Sequence, residues 1–207
     1  MLRIRTFGKV SIEIPFSEAS VGDILCSDNK IVSTANYAIS GKTAIGIVVH
    51  NSNGVVRVMA LTAPTTAQWG GFGLDLPMSN IETQQDAIAD IDGAGNTEIM
   101  YNNIPDSTIV VWVSYYDTPG APAGTWYMPA SGEVYMIGQC FAAINSARAA
   151  IGLSALPSSG LVILSSTERD SENIWYGHMM GGVFTIYGDL AKNIASYTTY
   201  PMLKKTY

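Results

Sequence analysis

The sequence is short of charge. Lys, Arg, Asp and Glu make up 14% of its 207 residues, against roughly a quarter in an average globular chain. No basic run occurs and the net charge is −6, which argues against a nucleic-acid partner. Cysteine is scarce. Cys26 and Cys140 leave either one disulfide or two free thiols, and two buried thiols is the simpler reading. No apolar run is long enough to span a bilayer. The start, Met1-Leu2-Arg3-Ile4-Arg5, alternates instead of forming the apolar core of a secretion signal.

Catalytic and metal signatures are missing too. There is no Gly-x-Ser-x-Gly elbow, and the histidines are His50 and His178. Cys140 falls on an apolar helix face, a poor place for a thiolate. Asp90 to Glu98 gathers oxygen ligands, but Tyr101 stands where a calcium loop needs its twelfth-position acid. That stretch reads as a helix end and a turn. The expectation is a protein that is not an enzyme and uses no metal or cofactor.

Apolar residues make up 47% of the chain, ample for a core, and the length suits one large domain with or without a small appendage. A sparsely charged sequence rich in Ser, Thr, Asn, Gly and Tyr suits an exported or particle-borne protein. Val10, Ile12, Ile14 and Phe16 alternate, giving a strand segment over residues 1–18 ahead of a domain over 19–207. Thr43–His50 and Val55–Leu61 flank Asn51-Ser52-Asn53-Gly54, a hairpin signal. Ile45, Ile47 and Val49 are expected on one face, and Val56, Val58 and Ala60 on one face of the partner strand. Ala63–Pro77 is a loop holding Trp69 and Phe72.

Ser79 to Glu82 is a capping-box pattern opening a helix with Gln85, Ile88 and Ile91 on one side, stopped at Asp92-Gly93. Residues 93–108 look turn-rich. Ile109–Val113 is an apolar run that fits a strand or a helix. Pro129 stops a strand, Ser131 caps a helix expected to reach about Ala150, and Ile137, Phe141 and Ile144 form its buried stripe. Gly160–Leu164 is a strand, and the hydroxyls after it suit a turn. Ile174–Met180 and Val183–Tyr187 pair around Gly181-Gly182, and Ser196–Leu203 closes the chain as a strand. Helices with many short strands give an α+β class with an antiparallel sheet.

Three motifs carry a resemblance: Thr125-Trp126-Tyr127-Met128-Pro129-Ala130-Ser131-Gly132-Glu133-Val134, Leu164-Ser165-Ser166-Thr167-Glu168, and Ile174-Trp175-Tyr176. They resemble the "W-Y-L-P-S-x-G-E-L", "W-S-S-T-E" and "W-Y" pattern of C-type lectin-like domains similar to the C-terminal domain of the Legionella collagen-like adhesin. That group includes variable proteins of diversity-generating retroelements from gut bacteria and phages. The likeness spans roughly Val21 to Pro201, with Leu164 in the place of the second tryptophan. It implies a C-type lectin-like fold with two helices and antiparallel sheets, and neighbouring strands from the two termini. The calcium-dependent sugar motifs of animal C-type lectins are absent. The location implied is extracellular, on a bacterial cell surface or a phage virion.

The stretch Arg169–Tyr200 concentrates tyrosine with Ser, Asn, Asp and His, the composition of an adaptable binding surface. Alternation sets Tyr176, His178 and Met180 opposite Trp175, Gly177 and Met179. The expected ligand-binding residues are Asp170, Ser171, Asn173, Tyr176, His178, Met180, Tyr187, Asp189 and Asn193. Their partner would be a cell-surface protein or glycan, with a homo-oligomer also compatible. The competing expectation is a structural or adhesive tip domain of a surface appendage or phage tail, without such a specialised face.

Overall fold

The computed structural model describes residues 12–64 and 66–207, so Val10 of the alternating N-terminal run lies outside them. The chain first lays down β1 (Glu13–Ile14), β2 (Ile24–Cys26), β3 (Ile31–Val32) and the single turn α1 (Tyr37–Ser40). The hairpin β4 (Ala44–Ser52) and β5 (Val55–Ala60) follows. Five helices then precede the second sheet: α2 (Gln84–Ala89), α3 (Gly93–Asn103), α4 (Thr108–Ser114), α5 (Ser131–Gln139) and α6 (Phe141–Ala150). Last come β6 (Leu161–Glu168), β7 (Asn173–Met180), β8 (Val183–Ala191) and β9 (Met202–Thr206).

The strands form two antiparallel sheets, one in the order β1-β3-β2-β4-β5-β9 and one in the order β6-β7-β8. The fold is therefore α+β. Among the described residues there are six α-helices, more than the two expected, because α1, α3 and α4 form outside the two expected helices and the helix expected over residues 131–150 is split in two.

The larger sheet is buried on both faces. Leu25, Ile31, Val48, Val56, Val58 and Leu203 pack with Trp126 on one side. Ile24, Val32, Ile47, Val49, Met59 and Met202 face the α5–α6 side. Asn53 (φ 52°) and Gly54 (φ 76°) turn the β4–β5 hairpin as a positive-φ pair. Ile45 does not share a face with Ile47 and Val49. The register slips between Leu25 and Cys26, and Ile45 turns to the opposite cluster.

Several helix boundaries differ from the sequence expectation, each for a capping reason. α2 begins after Thr83, whose hydroxyl accepts from the Asp86 amide, instead of at Ser79. Asp92 does not end a helix. Its carboxylate caps the start of α3 across the stretch read as turn-rich. Ile109–Val113 is helical within α4, capped by Ser107. Ser131 is the first residue of α5, not its cap. Ala130 caps it, with Glu133 reaching back to the Ala130 amide. The expected helix over residues 131–150 is broken at Cys140, which adopts φ −98° and ψ 8° between α5 and α6. Ile137 and Ile144 are buried, while Phe141 only flanks the core.

The termini meet less closely than the resemblance implies. β1 and β9 belong to the same sheet but occupy its opposite edges. β9 begins later than expected, and the segment before it makes isolated bridges, Tyr197 to Ala67 and Thr198 to Ile163. Ser165 to Glu168 is not a turn. It continues β6 and is wholly buried.

Candidate functional site

β7 and β8 alternate over Trp175–Met180 and Val183–Tyr187, the register slipping between Ile174 and Tyr176. Trp175, Gly177, Met179, Phe184 and Ile186 point to the core shared with α5, so Tyr176, His178, Thr185 and Tyr187 point away. The inward side is locked by glycine. A Cβ on Gly138 of α5 or on Gly177 of β7 would overlap the ring of Phe184, so helix and strand close on that ring from two sides. The indole N–H of Trp175 donates to the Ile81 carbonyl at 2.7 Å, and that of Trp126 to the Ala121 carbonyl at 2.9 Å. These tryptophans are the buried anchors that their motifs suggest.

On the outward side the register pairs Tyr176 with Tyr187 and His178 with Thr185. Ring centroids lie 5.9 Å apart for Tyr176–Tyr187, 6.5 Å for Tyr176–His178 and 6.3 Å for His178–Tyr187. The Tyr176 hydroxyl donates to Asp189 at 3.1 Å. Partial burial, helped by the Asp189 carboxylate, pushes the Tyr176 phenol up to about 12, so it stays a donor at neutral pH. The rest of this sheet face is covered. Val162 and Leu164, opposite His178 and Tyr176, are buried in a cluster with Trp69, Met100 and Val110. The aromatic patch is thus the uncovered margin of an otherwise packed surface.

Of the expected binding residues, Tyr176, His178, Tyr187 and Asp189 are brought together, with Met180 exposed at the hairpin end. The others are not part of that cluster. Asp170 and Asn173 form the β6–β7 turn, where the Asp170 carboxylate accepts from the Glu172 and Asn173 amides and the Asn173 side chain. Ser171 sits in that turn, its carbonyl accepting from the Gly73 amide. Asn193 lies beyond β8, its carbonyl accepting from Gln68.

Two buried ion pairs are structural in placement. Arg57 of β5 donates to Glu133 at 2.8 Å, and Glu133 also accepts from the Tyr127 hydroxyl at 2.7 Å and the Ala130 amide at 3.1 Å. Burial pushes the Glu133 carboxyl up, and these hydrogen bonds oppose it. Lys192 pairs with Glu168, donates to the Leu74 carbonyl at 2.7 Å and stands over Trp69. The first pair ties α5 to β5, and the second ties the loop through Leu74 to β6. The Cys140 thiol donates to the Val49 carbonyl, and burial pushes its pKa up, away from thiolate chemistry. Asp90 accepts from Asn96 and Thr167, which employs the acidic stretch in helix ends. Among the described residues no cluster of three or more His, Cys, Asp or Glu is placed to hold a metal, and no helix is long and apolar enough to cross a membrane.

Sequence reasoning missed one concavity. A cavity of about 460 Å³ opens between α3 and the segment before α5, lined by Thr97, Glu98, Tyr101, Ser114, Thr125 and Trp126 among others. The spacing of Ala94, Thr97, Glu98 and Tyr101 would have marked it, had residues 93–108 been read as helix.

No protein-family model matches the chain, and no curated protein matches it. Among solved structures, a fimbrial protein from Bacteroides ovatus is similar with a TM-score of 0.71 at 17% identity. The match covers 90% of this chain and 49% of that one, so the chain spans about half the length of that protein. At this identity the likeness is one of fold.

Proposed function

We propose that this chain is a non-enzymatic, adhesion-type domain of a bacterial surface appendage, exposed outside the cell. The outward face of β7–β8 is its contact surface for a cell-surface protein or glycan. The observation that carries the contact surface is the cluster of Tyr176, His178, Tyr187 and Asp189 left uncovered on a strand pair whose other face is locked by Phe184. Aromatic rings on a rigid sheet offer contact area at small entropic cost. The appendage setting rests on the shared fold with the fimbrial protein. That likeness supports a structural or adhesive domain more than a retroelement-diversified variable protein or a phage component, for which the sequence resemblance alone speaks. The lectin-like relationship itself rests on the same three motifs.

The test is a binding screen on immobilised glycans and cell-surface proteins. Binding should be lost in Tyr187→Ala with the melting temperature unchanged. Binding that survives Tyr176→Ala, His178→Ala and Tyr187→Ala alike would leave a structural domain without a specialised face there.

A further inference from the structure

We propose that the cavity between α3 and residues 114–127 is a subsite for one neutral sugar residue, separate from the β7–β8 face. Its volume, about 460 Å³, lies within the usual range of small-ligand sites, roughly 300–1,000 Å³. α3 supplies one wall through Ala94, Thr97, Glu98 and Tyr101, a single helical stripe at i, i+3, i+4 and i+7. The other wall is Ser114 and Gly124 to Tyr127. The walls are held together from below. The Thr97 hydroxyl contacts the Met128 carbonyl at 3.2 Å and accepts from the Met128 amide at 2.9 Å. The cavity is therefore a fixed feature of the fold, and a ligand would not have to organise it.

The lining chemistry selects the ligand. Trp126 and Tyr127 are only 3% and 7% exposed and make a closed floor, whereas Tyr101 is 48% exposed and offers an open ring. One open ring beside hydroxyls suits a pyranose. Its weakly positive C–H face packs on the electron-rich ring, and its hydroxyls need donors and acceptors at the rim. Thr125 donates to the Pro122 carbonyl at 2.6 Å, which leaves its oxygen as an acceptor. Ser114 supplies a second hydroxyl, and the exposed Glu98 carboxylate can accept from two adjacent sugar hydroxyls. Among the described residues Glu98 is the one charged side chain of this lining and has no ion pair there. A lone negative charge disfavours phosphate, sulfate and acidic sugars. A quaternary ammonium would be wrapped by several open rings, and here the other two aromatics are nearly closed.

The experiment titrates ¹⁵N-labelled protein with methyl glycosides of glucose, galactose, mannose and N-acetylglucosamine. Choline and N-acetylneuraminic acid serve as charged probes. At least one neutral glycoside should shift the amide signals of Glu98, Tyr101 and Thr125. Tyr101→Ala should weaken that binding by about tenfold or more, as loss of a main aromatic contact does, with the melting temperature unchanged. Glu98→Gln, which keeps an acceptor, should bind better than Glu98→Ala. Tyr187→Ala should leave these shifts intact, so this subsite and the β7–β8 face stand or fall separately. Preference for choline that vanishes in Glu98→Gln would make it a cation site and overturn the proposal. Preference for N-acetylneuraminic acid, no response to any neutral glycoside, or shifts confined to β7–β8 would overturn it equally.

Discussion

Lys192 and Glu168 face each other with no solvent-exposed surface on either side chain. Lys192 comes just after β8 and Glu168 ends β6. Through the Leu74 carbonyl and the Leu76 amide the pair also holds the loop between β5 and α2.

Removing one partner leaves an uncompensated buried charge. Lys192→Met or Glu168→Leu should each cost about 3–5 kcal/mol in urea unfolding, while the double replacement recovers much of the loss. A double variant as unstable as the sum of the two singles would show that the pair is not energetically coupled.

Alanine variants on the two sides of β7 should part company. His178→Ala and Tyr187→Ala stay within about 1 kcal/mol of the parent, as surface changes do. Trp175→Ala, which opens the core and orphans the Ile81 carbonyl, costs about 3–5 kcal/mol. Tyr176→Ala falls between, because that ring also packs against the covered cluster. Equal losses for Tyr187 and Trp175 in thermal melting would place Tyr187 in the core.

The division between these two faces could be read directly from the alternation of Tyr176, Gly177, His178 and Met179, since a strand has period two and a tryptophan to set the phase. The β4–β5 hairpin was equally open, because Asn53-Gly54 is a local signal. What stayed hidden was non-local. Nothing near Ile45 in sequence reports the register slip opposite Cys26. α3 was masked by Gly93, Gly95 and the asparagines, poor helix formers that Asp92 caps and that packing against β6 holds in place. The break at Cys140 interrupts an apolar period that stays helical on both sides of it. Within the site, the turn residues Asp170 and Asn173 share the composition of a binding surface but use their polar groups on one another.

Gly177→Ala is a small change with a large expected effect. The added methyl would overlap Phe184 and lie close to Val134, so overpacking should cost about 1–3 kcal/mol or more. Phe184→Leu in the same chain should restore part of it. Gly181, at the open hairpin end, has nothing within 4 Å of a built Cβ but a φ of 56°. Its alanine variant should lose about 1 kcal/mol from backbone strain alone. Chemical unfolding of the three variants checks the order.

His50, on β4 opposite Arg57, is held below its ordinary value of 6.5 by burial, with the Arg57 charge adding to the effect. The unfolded chain then takes up this proton first as the pH falls. The stability that His50 contributes is present above its unfolded value and fades as pH drops through the folded one. The melting temperature should decline as the pH falls below about 7, and His50→Gln should flatten that part of the curve. Identical curves for the two proteins would remove His50 as the cause.

The placement of β1 and β9 at opposite edges of one sheet has a mechanical consequence. A pull applied through these two strands runs across the hydrogen-bonded ladders of β3, β2, β4 and β5, so the six-stranded sheet bears the tension. The β6–β8 sheet and its aromatic margin lie beside that load path, joined to it through α5 and through the bridge from Ile163 to Thr198 just ahead of β9. In a domain under strain along its own length the tyrosines of β7 and β8 would thus lie off the main line of force, with the strand that borders β9's approach, β6, between them and it.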